Sequence, residues 1–339
     1  ALTLAQFLSR SDRYRGDIQQ YRMTGRPGEN HGRTVVVDEC SMLTEEMMAA
    51  LLEALDGVHR LIFIGDPRQL PPIGAGRPFV DIVAELQPVS FEDPETRVGR
   101  GYAELCIPRR QGAGDREDVQ LAAWFGAGET GPGEDQVFEI LTGQRKSQFI
   151  EFIAWETPDE FESALASALA SALGFNREVD EQVEFARSFG AHIDPNQSAW
   201  FGAAYKDRVG AGERSETWQI LSPIRQKPWG VESINRLIQR RYMARMTALS
   251  RQFGWGKRIP SPMGDAQIVY GNKVINNRNT SVPKGRMYPE PPSRGYLANG
   301  EIGIVVGHRK TEKKPWKPDY IEVEFSTQPG TVFKYYESD

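Results

Sequence analysis

Two stretches of sequence decide the fold of this chain: TVVVDECSM at residues 34–42 and LIFIGDPRQLPP at residues 61–72. Each begins with a short run of β-branched or aliphatic residues and ends abruptly in acidic and polar residues. This pattern is typical of a buried parallel strand whose C-terminal end opens into a ligand-binding crevice. We therefore predict that both stretches contribute residues to a binding or catalytic site.

The composition is that of an ordinary soluble globular protein. The 339 residues are 39% hydrophobic and 26% charged, which is enough chain for two or three domains. No apolar run reaches membrane-spanning length and no secretory signal pattern is present, so we expect a cytoplasmic protein without membrane contact. Cys40 and Cys106 are too few for a disulfide framework or a zinc site, and reduced thiols are expected.

A helix is predicted between the two stretches. Thr44 is a suitable N-cap, Glu45 and Glu46 lie near the positive end of the helix dipole, and Gly57 lies where a C-terminal cap is expected. The apolar face of this helix comprises Met47, Met48, Leu51, Leu52 and Leu55. The order strand, helix, strand predicts a βαβ unit with parallel strands and a right-handed crossover.

This geometry places four polar side chains at one edge of the sheet: Asp38, Glu39, Asp66 and Gln69. One carboxylate there can hold Mg²⁺ beside nucleotide phosphates, and a second can orient an attacking water. Gln69 could sense the terminal phosphate. An acidic pair after a hydrophobic strand is often only a solvated strand end, but both stretches in this order and spacing favour a nucleotide site.

The resemblance of these motifs to a known family is specific. VVDECSM at residues 36–42 and IGDPRQLPPIGAG at residues 64–76 resemble the Walker-B and sensor motifs of superfamily 1 helicases, closest to the RecD branch. PRRQ at residues 108–111 resembles the first motif of the second motor domain, and ILSPIR at residues 220–225 resembles that domain's strand and substrate-side loop. GNKVI at residues 271–275 and NGEIG at residues 299–303 resemble an inserted SH3-like barrel.

The resemblance implies an α/β fold built from partial RecA-like P-loop motor domains, each a parallel sheet flanked by helices, with a small SH3-like β-barrel insertion. Residues 1–100 would be the C-terminal part of the first motor domain. Residues 101–260 would be part of the second, with an acidic helical insertion at about 112–215, and residues 261–339 would be the barrel.

The resemblance also implies ATP and Mg²⁺ as cofactors, single-stranded DNA as the partner and 5′→3′ polarity. Asp38 would organise Mg²⁺, Glu39 would activate water, Gln69 would sense the terminal phosphate and Arg110 would act from the second domain, with Asp66 also near the nucleotide. An arginine pair such as Arg109 and Arg110 can equally form solvated surface ion pairs. DNA contacts are expected at Thr3, Pro71, Pro72, Ser222, Pro223, Arg225, Asn235 and Asn299. Whether the protein belongs to a helicase–nuclease complex in DNA repair and recombination stays open.

Some parts of the family pattern are absent from this sequence. It contains no Gly-x-x-x-x-Gly-Lys-Ser/Thr loop, so it has no backbone cradle or lysine for the phosphates. The late motor motifs are also absent. We therefore expect a helicase fragment, continued at both ends in its parent, that does not hydrolyse ATP appreciably by itself.

The charge distribution is strongly uneven. Between residues 151 and 184 there are nine acidic residues and one basic residue, around an Ala-rich helix predicted at residues 161–173. This region is interpreted as a solvated charged face or as an element that docks a partner or excludes DNA. Between residues 225 and 258 there are nine basic residues and one acidic residue, with a helix predicted at residues 233–249. Its arginines, with the interleaved Trp229, Phe253 and Trp255, favour either single-strand binding or a solvated basic helix.

The last part of the chain has Gly- and Pro-rich turns between short β-rich runs. Strands are predicted at residues 267–270, 273–276, 302–306, 321–325 and 331–335, which together indicate a small antiparallel barrel. Asn299 and Gly300 form a hairpin-type turn pair.

A different class of function is also compatible with this sequence. Without the phosphate-binding loop, the chain could be a non-catalytic nucleic-acid-binding or protein-interaction scaffold derived from a helicase. A phosphate-binding loop encoded upstream of Ala1 would distinguish the motor from the scaffold.

Overall fold

The structure is a computed structural model of the 339-residue chain. It describes residues 3–15, 18, 20–30, 32–91, 97–106, 116–125, 134–252, 259–278, 280–290, 295–310 and 317–338. These residues divide into two compact units, 1–153 and 154–339. The boundary falls within the segment assigned by resemblance to the second motor domain, and the division into three domains stays a prediction.

The first unit mixes short helices with two-residue and four-residue strands. Its helices are α1 (Leu4–Ser9), α2 (Glu45–Ala54), α3 (Pro78–Leu86), α4 (Glu117–Trp124) and α5 (Glu134–Leu141), with a 3₁₀ turn at Cys40–Met42. Its strands are β1 (Tyr14–Arg15), β2 (Gln20–Tyr21), β3 (Glu29–Asn30), β4 (Thr34–Val37), β5 (Leu55–Asp56), β6 (Arg60–Phe63), β7 (Val98–Gly99) and β8 (Tyr102–Ala103).

The βαβ unit predicted from the two stretches is present. Strands β4 and β6 are parallel neighbours in a register that pairs Thr34 with Arg60 and Val37 with Phe63. Helix α2 connects them, and the Thr44 hydroxyl caps its N-terminus by accepting a hydrogen bond from the Met47 N–H at 3.2 Å. A second parallel pair joins β3 to β5. The mixed α/β fold with a small parallel sheet is therefore confirmed.

Two small apolar clusters hold these elements together. Cys40, Leu43, Met48 and Phe79 pack under the loop that follows β4. Leu8, Ala50 and Ala54 join α1 to the opposite side of α2. The periodic apolar residues of α2 therefore serve two neighbouring elements at once, although Leu52 is 52% exposed.

The run at residues 102–107 also favours a short strand by its sequence, but most of that strand does not form. Within the described residues of this run, β8 alone forms, and it pairs with β7 as a tight antiparallel hairpin because Gly101, with φ of +78°, turns the chain back. Leu105 beyond it is fully exposed, at 99%.

The second unit contains a helical part and a β-rich part. Its helices are α6 (Pro158–Ala172), α7 (Glu181–Ser188), α8 (Val231–Tyr242) and α9 (Ala244–Arg251), with a 3₁₀ turn at Gly212–Arg214. Its strands are β9 (His192–Ile193), β10 (Ala199–Trp200), β11 (Lys273–Ile275), β12 (Thr280–Val282), β13 (Met287–Tyr288), β14 (Gly295–Leu297), β15 (Ile302–Lys310), β16 (Pro318–Phe325) and β17 (Val332–Tyr335).

The β-rich part is antiparallel, but the SH3-like barrel is not confirmed. Five strands form one sheet in the order β11-β15-β16-β17-β13, while β12 and β14 pair only with each other. The described strands therefore leave the sheet open between β11 and β13. The strand predicted at residues 267–270 is also wrong, because Gln267, with φ of +52°, lies in a turn and only Ile268 makes a bridge, to Met263.

The Asn299–Gly300 turn does not close a hairpin between paired strands. It joins β14 of the small pair to β15 of the large sheet, with Gly300 at φ of +89°. No helix in the described part of the chain is long and apolar enough to cross a membrane.

Two apolar cores stabilise the second unit. One, between the helices and the sheet, includes Leu169, Phe185, Tyr242, Met243 and Ile304. The other lies on the sheet face and is formed by buried side chains of β12–β17: Val282, Met287, Leu297, Val305, Ile321, Val323, Phe325 and Phe333.

Candidate active site

The ends of β4 and β6 form the edge at which the candidate site lies. Pairing continues past both strands, because the Ile64 N–H donates to the Val37 carbonyl at 2.8 Å and the Cys40 N–H donates to the Ile64 carbonyl at 2.9 Å. The residues that follow these strands, Asp38 with Glu39 and Gly65 with Asp66, therefore emerge at the same edge.

Asp38 and Glu39 are both exposed, and Glu39 has an uncommon backbone conformation. One Asp38 carboxylate oxygen accepts the Glu39 N–H at 2.9 Å, which leaves the other oxygen without a protein donor among the described residues. Glu39 has φ of 56° and ψ of 41°, in the left-handed region. This conformation costs about 1 kcal/mol or more in a residue with a side chain. The chain therefore turns sharply at Glu39, directly after β4, and leaves this carboxylate exposed.

Gly65 lies where the two loops approach each other closely. A Cβ atom at this position would lie 3.0 Å from the Ser41 nitrogen, 3.1 Å from the Cys40 nitrogen and 3.0 Å from a ring carbon of Phe79. Two of these atoms are backbone, so a side chain at this position would require the loop at Cys40 and Ser41 to shift by a few tenths of an ångström. Sequence reasoning did not identify this role, although a glycine directly after a hydrophobic strand was the available signal.

The Asp66–Gln69 turn is organised by Asp66 itself. The Asp66 carboxylate accepts the Arg68 N–H at 3.0 Å and lies 3.7 Å from the Arg68 guanidinium, while its carbonyl accepts the Gln69 N–H at 3.1 Å. Asp66 is therefore a turn-forming residue, and Gln69 lies exposed at the end of that turn.

The segment after Gln69 returns to the start of α2. The Glu45 N–H donates to the Ala75 carbonyl at 3.0 Å, which satisfies one of the free amides of the helix N-terminus. Between these anchors the apolar side chains of Leu70 and Ile73 are 85% and 99% exposed, Pro71 is exposed and Pro72 is partly buried. Exposed apolar side chains at a loop tip are available to contact a ligand or partner.

Two small polar side chains lie beneath the acidic turn. Cys40 is fully buried and donates its thiol hydrogen to the Val37 carbonyl at 3.1 Å, and burial raises the pKa of this thiol to about 11. Ser41 is 95% buried, and its hydroxyl has no hydrogen-bond partner among the described residues. Sequence reasoning missed Ser41 because a serine after an acidic pair predicts a solvated turn.

The donor set at this edge fits Mg²⁺. The ion prefers hard oxygen ligands, keeps several waters and is commonly bound by one or two carboxylates together with substrate phosphates. Asp38 and Glu39 supply exposed carboxylate oxygens at a strand end. The described residues contain no group of three or more His, Cys, Asp or Glu side chains placed to hold a metal.

The predicted second-domain residues are only partly described. Arg110 lies outside the described residues, as do Pro108, Arg109 and Gln111. Phe253 and Trp255, expected beside the basic helix, also lie outside them. The role of Arg110 stays a prediction.

The predicted DNA-contact residues occupy different environments. Thr3 precedes α1 and its carbonyl accepts the Phe7 N–H at 2.9 Å. The Ser222 hydroxyl donates within its own loop, to the Ile224 and Trp229 carbonyls at 3.1 and 3.0 Å, so its main contacts are structural. Pro223 and Asn235 are exposed, and Asn299 lies exposed in its turn. Arg225 is 84% exposed and pairs with Glu232 at 3.2 Å.

The predicted basic helix is two helices. Met243, with φ of −113° and ψ of 14°, interrupts the helical geometry between α8 and α9. Ile234, Leu237 and Tyr242 form the buried face of α8, whereas Leu249 is 37% exposed. The acidic helix predicted at residues 161–173 is present as α6, but it begins three residues earlier, because Thr157 caps it and Pro158 occupies its first turn.

Comparisons with known proteins cover the part of the chain that holds the candidate site. Residues 1–92 match the sequence model of an AAA domain family, and this segment contains Asp38, Glu39, Asp66 and Gln69. A stretch of 91 residues is 38% identical to the RecBCD enzyme subunit RecD of Mycolicibacterium smegmatis, covering 26% of this chain and 16% of that protein. A stretch of 58 residues is 48% identical to an uncharacterized protein of Methanocaldococcus jannaschii, covering 16% of this chain and 5% of that protein.

These similarities are local. The matches span less than a fifth of the length of either curated relative. They support a helicase-related protein with an AAA-type domain at residues 1–92, and they leave the remainder of the chain to be argued from its own structure.

Proposed function

We propose that this chain is part of an ATP-dependent DNA helicase of the RecD type that couples ATP hydrolysis to 5′→3′ movement on single-stranded DNA and to duplex unwinding. The observation that carries the proposal is the shared edge of β4 and β6, where Asp38, Glu39 and the Gln69 turn emerge together. The match of residues 1–92 to an AAA domain and the partial similarity to a RecD subunit support it.

Each residue at this edge has a proposed task. Asp38 would hold Mg²⁺, which would supply positive charge to neutralise the phosphates. Glu39 accepts a proton from the attacking water, and its exposed carboxylate allows a water to reach it. Gln69 contacts the terminal phosphate. Arg110, in the segment proposed as the second motor domain, stabilises charge on the transferring phosphoryl group. Movement of the Gln69 turn changes the exposed Leu70–Ile73 segment, where Pro71 and Pro72 contact DNA.

The remaining proposed DNA contacts are Thr3, Ser222, Pro223, Arg225, Asn235 and Asn299. The proposal also requires a phosphate-binding loop, which this sequence does not contain, supplied by a preceding segment of the protein. Other subunits of a helicase–nuclease complex are possible partners under this proposal.

Substitution Glu39→Gln tests the proposal in the protein encoded by the complete reading frame. ATP turnover stimulated by single-stranded DNA should fall about 100-fold or more, since a general base contributes 10²–10⁴-fold, while nucleotide binding remains. The matched control is Glu46→Gln, an equal charge change in the exposed first turn of α2, which should leave turnover unchanged. Retained hydrolysis in Glu39→Gln would contradict the assignment.

A second candidate is a non-catalytic nucleic-acid-binding or protein-interaction scaffold, and the exposed apolar side chains of Leu70 and Ile73 favour it. The two candidates differ in one measurement. A motor hydrolyses ATP faster when single-stranded DNA is added, whereas a scaffold binds DNA or protein with no ATP turnover in the protein from the complete reading frame.

A further inference from the structure

The acidic and basic regions of the second unit are paired with each other. Three arginines of α8 and α9 form ion pairs with carboxylates of α6 and of the start of α7. The pairs are Arg240 with Glu162 at 3.0 Å, Arg241 with Glu181 at 2.9 Å and Arg245 with Asp180 at 3.1 Å. We call Arg240, Arg241 and Arg245 the arginine row, and Glu162, Asp180 and Glu181 the acidic cover.

The packing of these helices does not depend on the ion pairs. Phe185 of α7 stacks on Tyr242 of α8, with ring centroids 4.5 Å apart and an interplanar angle of 11°. Leu169, Phe185, Tyr242 and Met243 are all buried in the same core. Because this apolar contact holds the helices together, the charged contacts at its rim can open without unfolding the unit.

The charged side chains remain accessible to solvent. The arginines are 42–65% exposed and their carboxylate partners 32–48% exposed. Exposed ion pairs of this kind contribute little to stability and are screened by salt. A polyanion that offers several phosphates at once can therefore replace the carboxylates, because it also releases its bound counterions.

We propose that the arginine row is a contact surface for the phosphate backbone of single-stranded nucleic acid, and that the acidic cover masks it as an autoinhibitory contact. This inference rests on the proposed DNA-binding function. It adds the surface that binds the DNA and the contact that regulates this binding. In this proposal the strongly negative region regulates the access of nucleic acid to the strongly positive region.

Two further arginines near the arginine row can attract the nucleic acid before its phosphates replace the carboxylates of the acidic cover. Arg225 and Arg236 share a single carboxylate, Glu232, at 3.2 and 3.8 Å. These three side chains carry a net positive charge at the N-terminal end of α8. Phosphates attracted there reach the arginine row when the cover opens.

Neutralising the cover tests the inference on the whole chain. The variant Glu162→Gln/Asp180→Asn/Glu181→Gln removes three negative charges, and asparagine at position 180 preserves the cap that Asp180 gives to the Gln182 N–H at 2.8 Å. The control variant Glu156→Gln/Asp159→Asn/Glu178→Gln makes the same charge change at exposed positions of the same region. Binding of a fluorescent oligothymidylate is followed by anisotropy over a series of salt concentrations.

We expect the uncovered variant to bind about tenfold more tightly than wild type at low salt. Its plot of log affinity against log salt should steepen by up to about 2, since each of three phosphates contributes about 0.7 on single strands. Adding Arg240→Gln, Arg241→Gln and Arg245→Gln should remove both gains. Circular dichroism melting of each variant confirms that the fold is retained.

Four outcomes would overturn the inference. An equal gain in the control variant would show a general charge effect, and a gain that survives the arginine substitutions would place the contact elsewhere. Wild-type binding with no gain in the uncovered variant would reject the mask but leave the proposed function standing. Failure of every variant to bind at any salt would reject the DNA-binding part of the proposed function together with the inference, whereas the ATPase result for Glu39→Gln is independent of both.

Discussion

Glu39 and Cys40 are neighbours in sequence with opposite environments. Glu39 is exposed in a left-handed backbone conformation, while Cys40 is fully buried one residue later. The turn between them is tight because the Cys40 N–H continues the pairing of β4 with β6. A single residue step therefore separates the proposed catalytic carboxylate from the core that positions it.

The two cysteines should differ sharply in their rates of alkylation. Burial removes Cys40 from solvent and raises its pKa to about 11, so that little thiolate forms at pH 8. Cys106 is exposed and provides an internal control. Iodoacetamide at pH 8, followed by mass spectrometry of peptides, should label Cys106 first and Cys40 only after urea is added. Equal labelling rates in the native protein would show that the acidic turn opens freely.

At the scale of elements, α2 is tied to the preceding irregular segment by one carboxylate. Glu53 accepts hydrogen bonds from the Thr24 N–H at 2.8 Å, the Gly25 N–H at 2.7 Å and the Arg13 guanidinium at 2.7 Å. Arg13 is itself 98% buried and donates to the Arg26 carbonyl at 2.7 Å. The helix that connects the two site strands is therefore fixed by charge-assisted hydrogen bonds as well as by its apolar face.

This network should make stability depend on pH in a defined window. The Thr24 N–H, followed by the Gly25 N–H and Arg13, lowers the pKa of Glu53 from 4.5 to about 2. Because the folded pKa lies below the unfolded one, the stabilisation is complete above about pH 4.5 and is lost as the pH falls through about 2.

Glu53→Gln measures this contribution. Urea unfolding followed by circular dichroism should show wild type more stable than the variant at pH 7, with the difference shrinking as the pH falls from 4.5 toward 2. Glu46→Gln, an exposed change on the same helix, should show no such pH-dependent difference. A constant difference for Glu53→Gln would mean that its carboxylate is not held in the folded state as described.

At the scale of the whole molecule, each compact unit is held by contacts between distant parts of the chain. In the second unit Glu324 is fully buried in β16 and accepts hydrogen bonds from three backbone N–H groups. The donors are Ala204 at 2.7 Å, Gly212 at 2.8 Å and Gly330 at 2.8 Å. These bonds join the loop at residues 201–215 to the large sheet, more than a hundred residues away in sequence.

Glu324→Gln should destabilise the second unit by about 1–3 kcal/mol. Both carboxylate oxygens accept N–H groups, and glutamine replaces one of them with an NH₂ that cannot accept, so at least one buried donor loses its partner. Glu322→Gln, on the same strand but only partly buried, is the matched control and should change little. Chemical unfolding of the purified chain measures both, and equal stability of the two variants would contradict this role.

Local sequence signals correctly predicted helices whose capping residues or apolar spacing are clear. Thr44 was sufficient for α2, because an N-cap acts over only three or four residues, and the apolar spacing of residues 161–173 was sufficient for most of α6. The same local reasoning joined α8 and α9 into one helix, since nothing near Met243 in sequence breaks the apolar period. It also predicted a strand at residues 267–270, where long-range pairing of β15 with β11 and β16 determines the sheet instead.

The sequence by itself determined the two parallel strands, the helix between them and the acidic and amide side chains at their ends, because these follow from short apolar runs, capping and turn chemistry over a few residues. Only the tertiary structure decided that Gly65 lies against the backbone of Cys40 and Ser41, that the barrel strands form an open sheet and that the arginine row is covered by carboxylates. Those features depend on which distant segments come into contact. Contacts of that kind are set by the competition among all possible pairings in the folded chain, which no local pattern records.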